Sequence, residues 1–247
     1  MSIFMELNNH ILPAKMLKNY LLLFAAITFV NTCMAQDTVE IKRKISTDVT
    51  EVYKVLAKDV NTRQGLFKAL YKGKIPVASG LYVNDKKIGL WKFTNRDGVT
   101  VQTYDYSNNR LFYEAKEDTT SRLRYFVDKE LKEGDKVTKP IKIGGVFFGY
   151  LPYLTLFTLP KEFKEIDRDA VIATVELLIS PGGRLADYKV NLMQYANVEP
   201  FKTINMNIKL PDPADLVFTP ATLNGEAIAC RVIIRCVVNS RLHLDFE

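Results

Sequence analysis

Apolar and polar residues alternate along much of this chain. Tyr82 follows Gly80 by two positions, Trp91 follows Gly89 by two, and Phe93 comes two later. A period of two places such rings on one face of β-strands. Asn84-Asp85 and Asp97-Gly98 supply turns, and the second pair is a strong hairpin signal. Residues 99–106 read as the returning strand, and Ser107-Asn108-Asn109 turns the chain into Leu111-Phe112-Tyr113. The first half therefore predicts a meander of short hairpins.

The second half follows a charged stretch at 114–140, which reads as a junction between modules and holds a possible strand at 123–127. An apolar stretch at 146–159 is broken by glycine and proline, so it does not suit a membrane span. Val171, Ala173, Val175, Leu177 and Ile179 share one strand face, Ser180-Pro181-Gly182-Gly183 turns the chain, and 185–192 returns. Phe201, Ile204 and Ile208 stand at offsets of three and four, with Pro200 before them and Pro211 after, which predicts a helix over 200–208. A β-branched run at 228–238 reads as the last strand. The predicted fold class is α+β and β-rich: an antiparallel β-hairpin meander at 36–140, then a small αβ domain at 141–247 with the order strand, strand, helix, strand.

At the other end of the chain, Lys18 precedes a run of about ten apolar residues at 21–30, followed by Cys33-Met34-Ala35-Gln36. This three-part pattern predicts a secretory signal peptide at 1–35, cut after Ala35, with Met16 as an alternative start. The run is about half the roughly 20 residues that a membrane span needs. Two other readings stay open: lipid attachment at Cys33, for which Val30-Asn31-Thr32 is a poor lipobox, and retention of the segment as an uncleaved anchor. After cleavage the chain is expected to be periplasmic or secreted, with no stable membrane span.

Composition narrows the chemistry. The 247 residues are 47% apolar and 25% charged, as in a folded protein with a real core. Lys and Arg number 34 against 28 Asp and Glu, a net charge of +6. This excess suits an acidic partner without implying nucleic acid, and no nucleic-acid partner is expected. Beyond residue 35 there remain His243, Cys230 and Cys236. The two cysteines sit six apart in one strand, on one face and about 20 Å from each other, too far for a disulfide. They read as buried core thiols. A lone histidine makes no zinc site, and no phosphate-binding loop or nucleophile elbow occurs, so no cofactor, metal or catalytic residue is expected. The acid pairs Glu117 with Asp118 and Asp212 with Asp215 lie in loop-like stretches that predict no shelter for general acid catalysis on a cell-wall or glycan substrate.

Two resemblances add to this reading. Gly80, Tyr82, Lys87, Gly89, Trp91, Phe93 and Gly98 together resemble the MORN-type repeat in its divergent bacterial form. Gly65, Phe67, Tyr71 and Gly73 resemble a degenerate earlier copy, so the likeness covers about 62–113. In that family the repeats mark interaction surfaces. Phe218, Pro220, Ala221, Asn224 and Gly225, with Ile143-Gly144-Gly145 upstream, resemble the C-terminal domain of TonB-type energy transducers over about 141–239. Phe218 stands where that family usually has Trp, and its Tyr-Pro motif and paired helix alanines are absent.

The resemblances imply a non-enzymatic exported envelope protein of the Bacteroidetes type that binds another envelope protein, such as a segment of an outer-membrane receptor. The implied mode is β-strand addition at an edge formed by 227–238, with Arg231, Ile233, Arg235 and Val237 as the partner-binding residues. In a competing reading that strand is central and its arginines are merely solvated. The alternative function is energy transduction for outer-membrane transport by a chain anchored through an uncleaved N-terminal segment.

Overall fold

The computed structural model describes residues 37–116, 122–163, 165–195 and 199–247. The segment read as a signal peptide, with Cys33, and the acid pair Glu117 and Asp118 lie outside them. The first seven strands are β1 (Thr38–Lys44), β2 (Val49–Leu56), β3 (Asp59–Tyr71), β4 (Ile75–Val83), β5 (Lys86–Thr94), β6 (Thr100–Asp105) and β7 (Arg110–Glu114). They pair antiparallel in chain order to form one seven-stranded sheet, the predicted meander. Its turns are tight for local reasons. Asn84 and Asp85 both have positive φ, 48° and 64°, and join Val83 to its register partner Lys86. A two-residue turn of that hand matches the twist of the strands it connects.

One face of this sheet is buried and the other is wet. Phe67, Tyr82, Trp91 and Phe93 point inward, with Trp91 wholly buried, while Leu66, Leu81 and Leu90 point out. Gly80 belongs to this inner face because of space rather than dihedral freedom: a Cβ there would lie 2.3 Å from the Trp91 ring. The indole thus rests directly on the β4 backbone, with Phe67 and Tyr82 each 5.2 Å away, centre to centre. Rings of this size contribute about 1.5–3 kcal/mol each on burial.

The remaining elements are β8 (Leu123–Phe126), β9 (Val137–Thr138), α1 (Gly145–Phe148), α2 (Leu151–Thr155), β10 (Val171–Ile179), β11 (Leu185–Gln194), β12 (Lys202–Asn205), β13 (Ala221–Leu223), β14 (Glu226–Ile228), β15 (Cys230–Val238) and β16 (Leu244–Phe246). A second sheet runs β12-β11-β10-β15-β16, with β8 also paired to β15, and a small third sheet runs β14-β13-β9. The chain is β-rich with antiparallel sheets. Of the charged stretch 114–140, β8 and β9 are therefore strands of the C-terminal sheets. The β10–β11 hairpin around Ser180-Pro181-Gly182-Gly183 forms as predicted, and Cys230 and Cys236 are buried free thiols.

The helix predicted over 200–208 is corrected to a strand. Lys202, Thr203, Ile204 and Asn205 pair with Leu192, Asn191, Val190 and Lys189 of β11. The helical spacing misled because Phe201 and Ile208 are exposed, so the three apolar residues share no buried face. The β-branched Thr203-Ile204 instead suits a pleated edge.

Residues 38–247 make one compact unit, and α1 is the wedge that joins the two large sheets. Phe147 meets Tyr71 of β3 at 5.7 Å and Phe246 of β16 at 5.2 Å, while Phe148 packs on Phe67 and Phe93. A fully buried glutamine on β6 fixes the turn before that wedge. Gln102 Oε1 accepts the Gly144 and Gly145 N–H groups at 2.7 and 3.1 Å, and Nε2 donates to the Lys142 carbonyl at 3.1 Å and to Glu114 Oε2 at 2.6 Å.

Candidate functional site

Where the wedge leaves part of the inner face of the meander uncovered, a cleft of about 500 Å³ opens. Tyr82, Trp91 and Tyr106 form one wall, contributed by β4, β5 and the end of β6. The facing wall comes from 142–156 and 211–217. Both resemblances thus supply residues to one place: Tyr82, Lys87, Trp91 and Phe93 of the repeat signature line the cleft, and Phe218 sits behind its far wall. The remaining signature residues serve the backbone. Gly89 takes positive φ inside β5, where the pairing with β4 shifts register, Gly98 takes it at a turn, and Asn224-Gly225 is the two-residue turn between β13 and β14, again with positive φ at both positions. Ala221 is buried with Ile228 and Cys230 in a small satellite core, and Pro220 lies against the Gly183 turn.

Charges in the cleft are mostly spoken for. Arg43 grips Glu51 Oε2 with Nε at 2.9 Å and Nη2 at 2.7 Å. Arg63 donates to Asp85 Oδ1 at 2.5 Å and to the Tyr82 hydroxyl at 2.9 Å. Lys142, whose side chain is only 3% exposed, donates to the Ala214 carbonyl at 2.7 Å and lies 3.5 Å from Asp215 Oδ1 and 5.0 Å from the centre of the Phe218 ring. Burial lowers Lys142 to about 8, against the pull of Asp215, and burial raises Asp215 in turn. Because its donors are aimed at backbone carbonyls, Lys142 staples the 211–217 loop to the wall.

Lys87 differs from these. Its ammonium stands 5.3 Å from the centre of the Trp91 ring and 5.2 Å from that of Tyr106, with no hydrogen-bond or ion-pair partner among the described residues. Burial pushes its pKa down, while Asp212 and Asp215 oppose that shift from a distance. The hydroxyl of Tyr106, whose ring packs edge-on against Trp91, is also without a hydrogen-bond partner among the described residues, and burial raises its pKa. A half-buried cation over two rings, beside an unused hydroxyl, can receive an anionic or hydrogen-bond-accepting group.

The edge expected at 227–238 for Arg231, Ile233, Arg235 and Val237 is corrected to the competing reading, a central strand, because β15 is paired on both sides. β10 pairs along one side of it, and β8 and β16 share the other. β8 lies about 100 residues upstream, so its pairing does not follow from local pattern, whereas β16 returns on β15 as a hairpin across 239–243. Ile233 and Val237 are half-buried on the outward face. Arg231 pairs with Asp128 at 3.0 Å and approaches Glu176, and Arg235 meets Glu247 at 2.6 Å. The expectation that Asp212 and Asp215 lack shelter holds for Asp212, which is exposed and caps Ala214 N at 2.9 Å; it is corrected for Asp215, which the Lys142 staple draws inward. Sequence reasoning passed over Lys142 itself. Its signal was a lysine between Ile141 and Ile143 at the start of an apolar stretch.

Among the described residues no group of three or more His, Cys, Asp or Glu side chains is placed to hold a metal ion, and no helix is long and apolar enough to cross a membrane. Compared with family models, with curated proteins and with solved structures, the chain matches none.

Proposed function

We propose that this chain is a non-enzymatic exported envelope protein that binds a partner protein, and that the cleft beside Lys87 is where it does so. One observation carries the reading: a sheltered ammonium and a phenol face an open cleft with their bonding capacity unused. Lys87 and Tyr106 line the cleft with donors left free, as the few polar groups of a binding pocket are, so a ligand entering the cleft can complete their bonding. The non-enzymatic part rests on Lys142 and Asp215, the one buried acid–base pair in the cleft, being committed to holding backbone. Strand addition at 227–238 is no part of the proposal, since both sides of β15 are occupied.

Export and the two family likenesses, MORN-type over 62–113 and TonB C-terminal over 141–239, belong to the same proposal and rest on the motifs quoted above. The test is site-specific photo-crosslinking in envelope fractions. A photoreactive residue at Leu156 or Val217, both exposed on the cleft rim, should capture one envelope protein, and one at Leu90 on the outer face of the meander should not. Equal capture from all three positions, or capture only from Leu90, would overturn the assignment of the cleft. Mass spectrometry of the N-terminus of the exported protein separates the anchored-transducer alternative, which a chain beginning at Gln36 rules out.

A further inference from the structure

We propose that the cleft takes a group bearing a single carboxylate on an apolar body, presented by an extended segment of the partner, and that Lys87 is its anchor. This rests on reading the cleft as the place of partner binding. Three observations select the chemistry. Of the cations around the cleft, Arg43 is engaged by Glu51, Arg63 by Asp85 and Lys142 by Asp215, which leaves Lys87 as the one without an ion pair among the described residues.

Glu51, Asp212 and Asp215 line the same cleft, but Glu51 is paired with Arg43 and Asp215 with Lys142, which leaves one carboxylate, Asp212, and one cation, Lys87, outside those pairs. One free ammonium matches a monoanion, whereas the second charge of a dianion such as a phosphate monoester would go unmatched in a cleft that also holds Asp212. The Tyr106 ring lies 5.2 Å from the Lys87 ammonium, and its hydroxyl, with no hydrogen-bond partner among the described residues, is a further donor on the same wall. Beyond these polar groups the rim is apolar, with Ile45, Leu156 and Val217. A volume of about 500 Å³ lies within the range of sites that enclose a small molecule or the end of a peptide. Sheltered from water, the pair formed by Lys87 with such a group is stronger than a surface ion pair.

A peptide offers this chemistry from two sources, its C-terminal carboxylate or an Asp or Glu side chain. The chain contains a single tryptophan, Trp91, so intrinsic fluorescence reports on this wall of the cleft alone. The experiment titrates the exported protein with N-acetylphenylalanine, its amide, phenyl phosphate, and N-acetyl-glutamyl-phenylalaninamide, following Trp91 emission and the NMR signals of the Lys87 side chain. A carboxylate probe should give a saturable change at least tenfold tighter than the amide or the phosphate. The tighter of the two carboxylate probes identifies the source. K87M keeps the apolar stem and should lose at least tenfold in carboxylate affinity with its thermal midpoint at or above wild type, while K86M, at an exposed neighbour, should bind as wild type does. Equal binding of acid and amide, tighter phosphate, unchanged binding by K87M, or no saturable response to any probe each overturns the proposal. Should carboxylate probes bind while cleft crosslinks capture no envelope protein, the Lys87 anchor stands and the partner-protein reading falls. Should the crosslinks capture an envelope protein while no carboxylate probe binds, the partner-protein reading stands and the anchor falls.

Discussion

Replacing Gln102 with leucine tests how the cleft wall is held. The side chain is fully buried and makes four hydrogen bonds, accepting from Gly144 and Gly145 and donating to the Lys142 carbonyl and to Glu114. Leucine fills similar space, so the loss is polar rather than steric. Two backbone N–H groups and one carbonyl would be left buried without partners, at about 1–3 kcal/mol each. Part of this is recovered as the 142–145 turn shifts toward water, so the net loss should be about 3–5 kcal/mol. In a unit of this size that corresponds to a fall of roughly 10 °C in Tm. The companion variant Q102E separates polar loss from general damage. Its carboxylate still accepts from both glycine N–H groups, but its second oxygen faces the Lys142 carbonyl and Glu114, so it should be less stable relative to wild type at pH 7 than at pH 5, where protonation restores a donor. Urea denaturation of the three proteins at both pH values decides the matter. A Q102L within 1 kcal/mol of wild type, or a Q102E deficit independent of pH, would refute the idea that this glutamine anchors the wall.

Three other outcomes follow from the same geometry. G80A places a methyl group 2.3 Å from the Trp91 ring, which Phe67, Tyr82 and Phe93 hold in place, so it should cost about 1–3 kcal/mol and shift Trp91 emission; an unchanged spectrum and Tm would contradict the packing described. Burial lowers Lys142 from 10.5 to about 8, so between those values the unfolded chain binds more protons than the native one and stability rises with pH. Relative to K142M, wild type should therefore gain, approaching about 3 kcal/mol, as pH climbs from 8 past 10, and a constant difference across that range in calorimetry would show that Lys142 titrates normally. R231A and R235A should each change stability by less than about 1 kcal/mol and leave crosslinking from the cleft intact, since both guanidiniums sit in part-exposed ion pairs on a fully paired strand; loss of capture by either would restore them as partner contacts.

The parts of the fold that were legible in the sequence are those decided by near neighbours. Period-two alternation and the pairs Asn84-Asp85 and Asp97-Gly98 fix hairpins whose strands are adjacent in the chain, and the β10–β11 hairpin was readable for the same reason. The segment 200–208 failed because Phe201, Ile204 and Ile208 satisfy helical spacing, and only the presence of β11 beside them makes Thr203 and Ile204 a strand. The position of β15 failed largely on nonlocal grounds as well, since β8, about 100 residues upstream, closes the first part of its second side, and β16, the next strand in the chain, closes the rest. In the site, Tyr82, Lys87 and Trp91 were visible as a motif because they occupy one hairpin. Lys142 and Asp215 were not, because their meeting depends on a loop folding back across the wedge.

The two sheltered lysines show how a satisfied buried cation differs from an unsatisfied one. Both are pushed down in pKa by burial, and both lie near aromatic rings. Lys142 offsets the cost of its desolvation by binding Ala214 and Asp215 and so fixing a loop, which makes its position explicable by stability alone. Lys87 receives only ring contacts, a cation–π attraction of about 1–2 kcal/mol, and stays half-buried on the cleft wall with its donors free. The repeat signature places that lysine over Trp91 on one hairpin, and the 211–217 loop, held by Lys142, shelters it from the other side. The two lysines divide the work in the proposal above: the loop stapled by Lys142 forms one wall of the cleft, and the ammonium of Lys87 on the other wall is the group a ligand would satisfy.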